Sequence, residues 1–226
     1  MREVALPERL APICLTAYRR PEHTRATLEA LLKSPLAEHT TVYAFLDGPK
    51  TEGDVSAVAE TRAVLEATKG FKDLQVSVSE TNRGLASSIT SSVSQVVDDA
   101  GRVIMIEDDI VTSPAFLHYM NKSLSFYEHS SHIWHVSGYA PDYQEQIRGA
   151  YAWRAMNCWG WGTWKDRWQH FEKNPQKLIS EFNAEDIHRF NIDGVENFWE
   201  QVQLNAAGAM DTWAIFWYAT IFKKNG

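Results

Sequence analysis

Apolar runs alternate with helically spaced apolar positions through the first half of this chain. Residues 12–17 (PICLTA) read as a strand. Residues 24–33 then set Leu28, Leu31 and Leu32 at helical spacing, with Pro21 near the helix start. Residues 42–46 predict a second strand closed by the turn pair Asp47–Gly48, and 55–68 a helix ended by Gly70. The alternation LQVSVS over 74–79 predicts a third strand, 84–97 a helix, and 103–106 a fourth strand. This β-α-β-α-β-α-β order implies a mostly parallel sheet with right-handed crossovers. It contains no glycine-rich phosphate loop of the P-loop or dinucleotide kind.

After residue 110 the pattern changes. All nine tryptophans lie from Trp134 onward. Residues 114–127 read as helix and 133–137 as one more strand. Between Tyr151 and Trp168 runs an aromatic, glycine-bearing stretch containing AWRAMNCWGWGTW. Short helical patterns occupy 175–182 and 198–206, and 212–222 is apolar on nearly every helical face, which predicts burial. The terminus follows at once, which predicts covering residues beyond it and a chain cut from something longer. No repeat, low-complexity tract or linker divides the 226 residues.

Composition narrows the partners. The formal net charge is −7 with no basic stripe, so nucleic acid is not an expected partner. The two cysteines, Cys14 and Cys158, fit neither a disulfide framework nor a zinc spacing, and Cys14 reads as a buried thiol. The opening MREVALPERLAP lacks the apolar stretch of a signal peptide, and no segment reaches the length of a membrane span. A cytoplasmic location is expected, with any membrane association supplied by a partner or a region outside this chain.

The densest chemistry is VIMIEDDI over 103–110. A strand-like apolar run ends in three consecutive carboxylates, Glu107, Asp108 and Asp109. Ligands of open α/β sheets gather at such strand ends. Adjacent carboxylates repel and are costly to desolvate, and a divalent cation with oxygen ligands, magnesium or manganese, would compensate them. A solvated acidic turn is the plainer explanation. Asp47, in FLDGP, makes a sufficient turn by itself, and could also accept from a nucleobase N–H. Arg19, Arg20 and Arg83 fall in carboxyl-end loops, where arginine forks suit phosphate. The WGWGTW rings at 159–164 suit sugar faces, with Asn157 or Glu196 for hydroxyls, although tryptophans also build cores. Asp211 precedes the last helix as an N-cap or as a general base in apolar surroundings. Glu196 and Glu200, at helical spacing, compete for the base role.

The landmarks PICLTAYRRPEHT, FLDG, NRGLASS, VIMIEDDIVTSPAFLHYM, IWHVSGYAP, NCWGWGTW and MDTW, in this order along nearly the whole chain, resemble GT-A-fold glycosyltransferases. The likeness is to the group around N-acetylglucosaminyltransferase I and its bacterial sugar-transferase relatives. It implies an α/β, Rossmann-like fold in a single GT-A domain, with about 10–110 binding the nucleotide sugar and 111–226 forming a Trp-rich half that carries the acceptor and the base. It implies a metal-dependent, inverting transfer from a nucleotide diphosphate sugar, UDP-linked, to a glycan or lipid-linked glycan in surface polysaccharide or glycan synthesis. Carried over by position, Ala17, Arg19, Arg20, Asp47, Asn82, Arg83, Glu107 and Asp108 would meet the nucleotide sugar. Asp109 would bind Mn2+ or Mg2+, Asp211 would be the catalytic base, and Asn157, Trp159, Gly160, Trp161 and Glu196 would meet the acceptor. A sugar-nucleotide pyrophosphorylase is an alternative, but TAYRRPEHT lacks the glycine-rich loop expected of one. A noncatalytic carbohydrate-binding module is another, and it gives the acidic triplet no purpose.

Overall fold

A computed structural model describes residues 8–141 and 149–226, so the opening segment read for a signal peptide lies in part outside the described residues. The apolar runs become four parallel strands: β1 (Ile13–Ala17), β2 (Thr41–Leu46), β3 (Asp73–Val78) and β4 (Arg102–Glu107). Their spatial order is β3-β2-β1-β4. Helices α1 (Pro21–Leu32), α2 (Val55–Ala67) and α3 (Leu85–Ala100) connect them. Pro21 opens α1, where its missing N–H has no helical partner to lose. Gly101, at φ +79°, closes α3 in the left-handed conformation that glycine adopts without strain. After α4 (Phe116–Phe126), the sheet gains β5 (Val136–Ser137) and β6 (Trp161–Trp164). Strand β6 pairs antiparallel with β4, and β5 lies outside it. The pattern WGTW predicted no strand, because its residues do not alternate with polar ones.

Side-chain alternation along β1 and β4 builds two cores. Ile13, Leu15, Ile104 and Ile106 join Leu28 and Leu31 of α1, Leu65 of α2 and Leu117 of α4. Cys14, Val103 and Met105 face α3 and a tryptophan layer of Trp161, Trp168, Trp213 and Trp217. Trp168 ends α5 (Lys165–Trp168), and Trp217 lies on α9 (Ala214–Lys223). Three short helices, α6 (Pro175–Glu181), α7 (Ala184–Phe190) and α8 (Phe198–Ala206), form a third cluster with α9. Helix α9 is apolar all round because it is covered twice: Trp217 and Ile221 pack on the sheet side, Phe216 and Ala219 on Phe190 and Val202. Helices α6–α8 thus cover the side of α9 that faces away from the sheet.

The four parallel strands share one carboxyl-end rim. The chain winds outward from β1 through β2 and β3, then returns through α3 to β4 on the other side of β1. Strand order reverses between β1 and β4, the place where open α/β sheets form a crevice. The mostly parallel sheet, flanked by helices, is a GT-A-like layout. Among the described residues no helix is long and apolar enough to cross a membrane.

Candidate functional site

The residues that follow β1 and β4 are bonded to one another at this reversal. The Tyr18 N–H donates to Asp108 Oδ2 at 3.0 Å. The Arg20 guanidinium forks across two carboxylates, Nη2 to Asp108 Oδ1 and Nη1 to Asp109 Oδ2, the latter at 2.9 Å. The Thr27 hydroxyl donates to the Asp108 carbonyl at 2.9 Å. Asp108 is only 1% exposed, whereas Asp109 is accessible to solvent. Part of the compensation that the sequence assigned to a metal ion is therefore supplied by Arg20. It is incomplete: burial, then repulsion from Asp109 and Asp108, push Glu107 up to about 7 against the pull of Arg20. Cys158 lies close enough that Glu107 and Asp109 add to burial in pushing its thiol up.

Among the described residues no three His, Cys, Asp or Glu side chains are disposed to cage a metal ion. The residual acidity and the all-oxygen donor set fit a cation of another habit. Magnesium-like ions bind through one or two carboxylates and complete their shell with substrate phosphates and water. Asp109, the accessible member of the triplet, suits that arrangement.

Asp47 directly follows β2 and is buried. Its carboxylate accepts from the backbone N–H groups of Gly48 (3.0 Å), Arg83 (2.9 Å) and Gly84 (3.1 Å), and so holds the start of α3. The Asp47 N–H in turn donates to the carbonyl of Ala17, the buried last residue of β1, at 2.9 Å. Asn82 Nδ2 donates to the Gly48 carbonyl at 3.0 Å. Gly48 allows this approach, since a Cβ there would sit 2.6 Å from the Thr81 carbonyl carbon. In this arrangement Asp47 does the work of a turn and a remote cap, with its oxygens occupied by backbone.

The three arginines share the rim but not an anchor. Arg19 pairs with Asp54, which also accepts from the Tyr18 hydroxyl at 3.0 Å. Arg83 lies along α3 and donates to the Ser91 hydroxyl. Arg20 alone of the three bonds to the acidic triplet.

Because β6 is antiparallel to β4, its start lies where β4 ends, with Trp161 opposite Met105. Asn157 Oδ1 accepts the Trp159 N–H at 2.9 Å, and Trp159 is 50% exposed with its ring edge-on to Tyr139, centroids 4.7 Å apart. Gly160 is buried at φ +68°. Trp161 corrects the sequence reading. It is wholly buried between His135 and Trp213, stacked at 5.2 Å on each, and offers no face to an acceptor. A cleft of about 380 Å³ opens beside Asp109, against α4 and Trp159. Of its lining, Thr112, Tyr119 and Tyr139 were given no role by the sequence, although Thr112 and Tyr119 stand in the landmark VIMIEDDIVTSPAFLHYM and Tyr139 in IWHVSGYAP.

Two expectations about the carboxyl-terminal acids change. Glu196 precedes α8, which begins at Phe198, so it shares no helical face with Glu200; it is exposed in the preceding turn. Asp211 is no N-cap: Trp213 holds that position, and the Asp211 side chain, 70% exposed, pairs with Lys173 rather than standing among apolar groups.

No family model matches the chain, and no curated protein does. Among solved structures, S. aureus TarS overlaps 52% of this chain and 19% of its own, at 16% identity and a TM-score of 0.36. Rv0371c from Mycobacterium tuberculosis H37Rv, in complex with manganese, overlaps 53% of this chain and 61% of its own, at 19% identity and a TM-score of 0.33. The chain spans less than two thirds of either neighbour, and overlaps this loose say nothing of its chemistry. Neither is N-acetylglucosaminyltransferase I, and that narrower resemblance rests on the sequence landmarks.

Proposed function

We propose that this chain is an inverting glycosyltransferase that moves a sugar from a UDP-linked donor to a hydroxyl of a glycan or lipid-linked glycan, in the assembly of a surface polysaccharide or glycan. The observation that carries the reading is the meeting of Arg20 with Asp108 and Asp109 at the strand-order reversal, beside an aromatic cleft. Residues 10–110 would hold the donor and 111–226 the acceptor. A noncatalytic sugar-binding module gives no role to a buried aspartate tied to an arginine at that point.

Asp109, supported by Asp108, would hold manganese or magnesium, whose charge offsets that of a leaving diphosphate. Arg20 would exchange one carboxylate partner for a phosphate oxygen, keeping its fork geometry. Arg83 and Asn82, on the loop that Asp47 holds, would reach the diphosphate from the α3 side. Asp211 would leave Lys173 and accept the proton of the acceptor hydroxyl as its oxygen attacks the anomeric carbon. The bond to the diphosphate oxygen breaks on the opposite face, which inverts the centre.

Calorimetric titration of UDP with manganese tests the donor half. Affinity should fall at least tenfold in Asp109→Ala, and equal affinity in wild type and variant sinks the metal assignment. Asp211→Asn should leave that affinity unchanged while UDP release in the presence of acceptor falls by roughly 10²–10⁴-fold. Near-normal turnover in Asp211→Asn would remove it from the chemistry.

A further inference from the structure

The two edges of the sheet differ. Strand β5 is two residues long, too short to template another strand. Strand β3 runs for six residues, about 20 Å at the usual rise, and among the described residues no strand lies beyond it. Residues 74–78 (LQVSV) hold no charge, proline or glycine, and the register with β2 runs from Asp73 to Val78 without a bulge. Charges, prolines and bulges are the devices that blunt an open edge, and the middle of β3 has none of them. Alternate backbone N–H and C=O groups of β3 therefore point away from β2 with no strand to receive them.

One face of this edge is apolar. Leu74 and Val76 pack partly on the core shared with α1 and α2, and Val78, on the same face by alternation, is 42% exposed. At the start of the strand a groove of about 430 Å³ opens, lined by Phe71, Leu74 and Val76 and by Lys69 and Lys72. Two acids share the groove, but each is engaged: Glu66 by Arg62 and Asp73 by the Gln75 amide. Neither lysine has an ion-pair partner among the described residues. At the far end of the strand Glu80 is exposed and equally unpaired. The edge thus runs from free cations to a free anion. These features are symmetric about Val76: Leu74 and Val78 stand two residues to either side, Lys72 and Glu80 four. Two β3 strands paired antiparallel about a two-fold axis through Val76 set Leu74 opposite Val78, Gln75 opposite Ser77 and Lys72 opposite Glu80 of the second copy. Apolar side chains then meet apolar ones, and each free charge meets its opposite. A register centred on Gln75 instead sets Lys72 opposite Val78 and Glu80 opposite Gly70, and loses both ion pairs.

We propose that the β3 edge binds a second copy of this chain, by antiparallel β3–β3 pairing centred on Val76. The two sheets become one, with the apolar side chains of both edges gathered on the face that carries α2. The axis stands perpendicular to the sheet, so the carboxyl-end rims of the two copies face opposite ways and both stay open. Dimerisation is therefore independent of the chemistry at the rim. A six-residue edge is small beside the roughly 1,600 Å² buried in a stable complex, so the dimer is weak and reversible, with a dissociation constant on the order of micromolar or above.

Sedimentation velocity of the full chain, from low micromolar to submillimolar concentration, tests this. The expected result is a reversible monomer–dimer equilibrium. Val78→Lys, at an exposed position, should weaken it about tenfold or more, because each copy then presents a charge to Leu74 of the other. Lys72→Glu and Glu80→Lys should each weaken it about tenfold by setting like charges opposite one another, and the double exchange should restore the wild-type constant. All four positions changed or opposed lie at the surface or the strand edge, and circular dichroism of each variant checks that it is folded. Amide exchange at 74–78 should slow as the dimer fills. A chain that stays monomeric throughout overturns the proposal and leaves the edge to a strand of some other protein. A dimer indifferent to Val78→Lys uses another surface, which overturns it equally. Weakening by both single charge changes without recovery in the double exchange rules out pairing centred on Val76.

Discussion

The rim at β1 and β4 and the tryptophan layer under α9 handle awkward residues in opposite ways. At the rim, Asp108 is buried as a carboxylate, and that is tolerable because Arg20 and the Tyr18 N–H reach it. In the layer, Trp161 stacks on Trp213 and meets Trp168 at a tilt, Trp168 meets Trp217 likewise, and the imidazole of His135 bonds within it. A clustered set of acids is informative in a sequence because burying it requires a partner. A clustered set of tryptophans is ambiguous, because such rings lower the free energy by packing together and need nothing more. Hence the triplet pointed to a real assembly, whereas WGWGTW mixed one accessible ring, Trp159, with two buried ones, Trp161 and Trp164.

The largest effect should come from within the layer. Trp161→Ala removes a fully buried ring and should cost about 3–5 kcal/mol in urea unfolding. Trp159→Ala should cost below about 1 kcal/mol, since half of that ring is already in water. Equal costs would erase the division between structural and accessible tryptophans.

Next is the rim. Arg20→Ala leaves Asp108 buried without its charge partner and should cost about 3 kcal/mol at neutral pH. Adding Asp108→Asn should recover part of the loss. A neutral Arg20→Ala would show that the fork contributes nothing to folding.

A smaller effect separates the regions by pH. Burial, opposed by the Asn157 carbonyl, holds His135 down to about 4 from 6.5. Its Nδ1 accepts from Trp217 Nε1 at 3.2 Å, so Nε2 carries the hydrogen shared with the Asn157 carbonyl at 2.9 Å. Between those two values the unfolded chain binds a proton that the folded chain refuses. The stability owed to neutral His135 is therefore complete above about pH 6.5 and is lost as pH falls toward 4. Glu107 works the other way: its carboxyl is raised to about 7, so its ionisation erodes stability as pH rises from 4.5 through 7. Urea midpoints of wild type and His135→Gln across pH 4–7 distinguish them, and the acid-side loss should shrink in His135→Gln. The least change is expected for Lys173→Met. Its pair with Asp211 is mostly exposed, and thermal unfolding should register less than about 0.5 kcal/mol. A cost near that of Arg20→Ala would mean burial does not distinguish the two ion pairs.

Much of the parallel sheet was readable because β1, β2 and β4 are short, apolar and rich in branched residues, and because the helices between them carry their own spacing. The place of the triplet followed, since a residue that ends a parallel strand lies on the carboxyl-end rim whatever else the chain does. Strand β6 was not readable: two tryptophans, a glycine and a threonine show no polar alternation when both faces of the strand are covered. Nor could local pattern choose among Arg19, Arg20 and Arg83. All three occupy suitable loops, and which one meets Asp108 and Asp109 depends on how β1 and β4 lie side by side. The same holds for Asp211, whose place directly before a helix expected from Thr212 suggested a cap, while the helix starts at Ala214 and Lys173 comes from another segment. Local order along the chain decided the elements and the end of the sheet that carries the acids, because periodicity and strand direction are short-range properties. Contacts between residues tens of positions apart decided which charges pair and which rings face water, and those exist only after the sheet has brought its strands together.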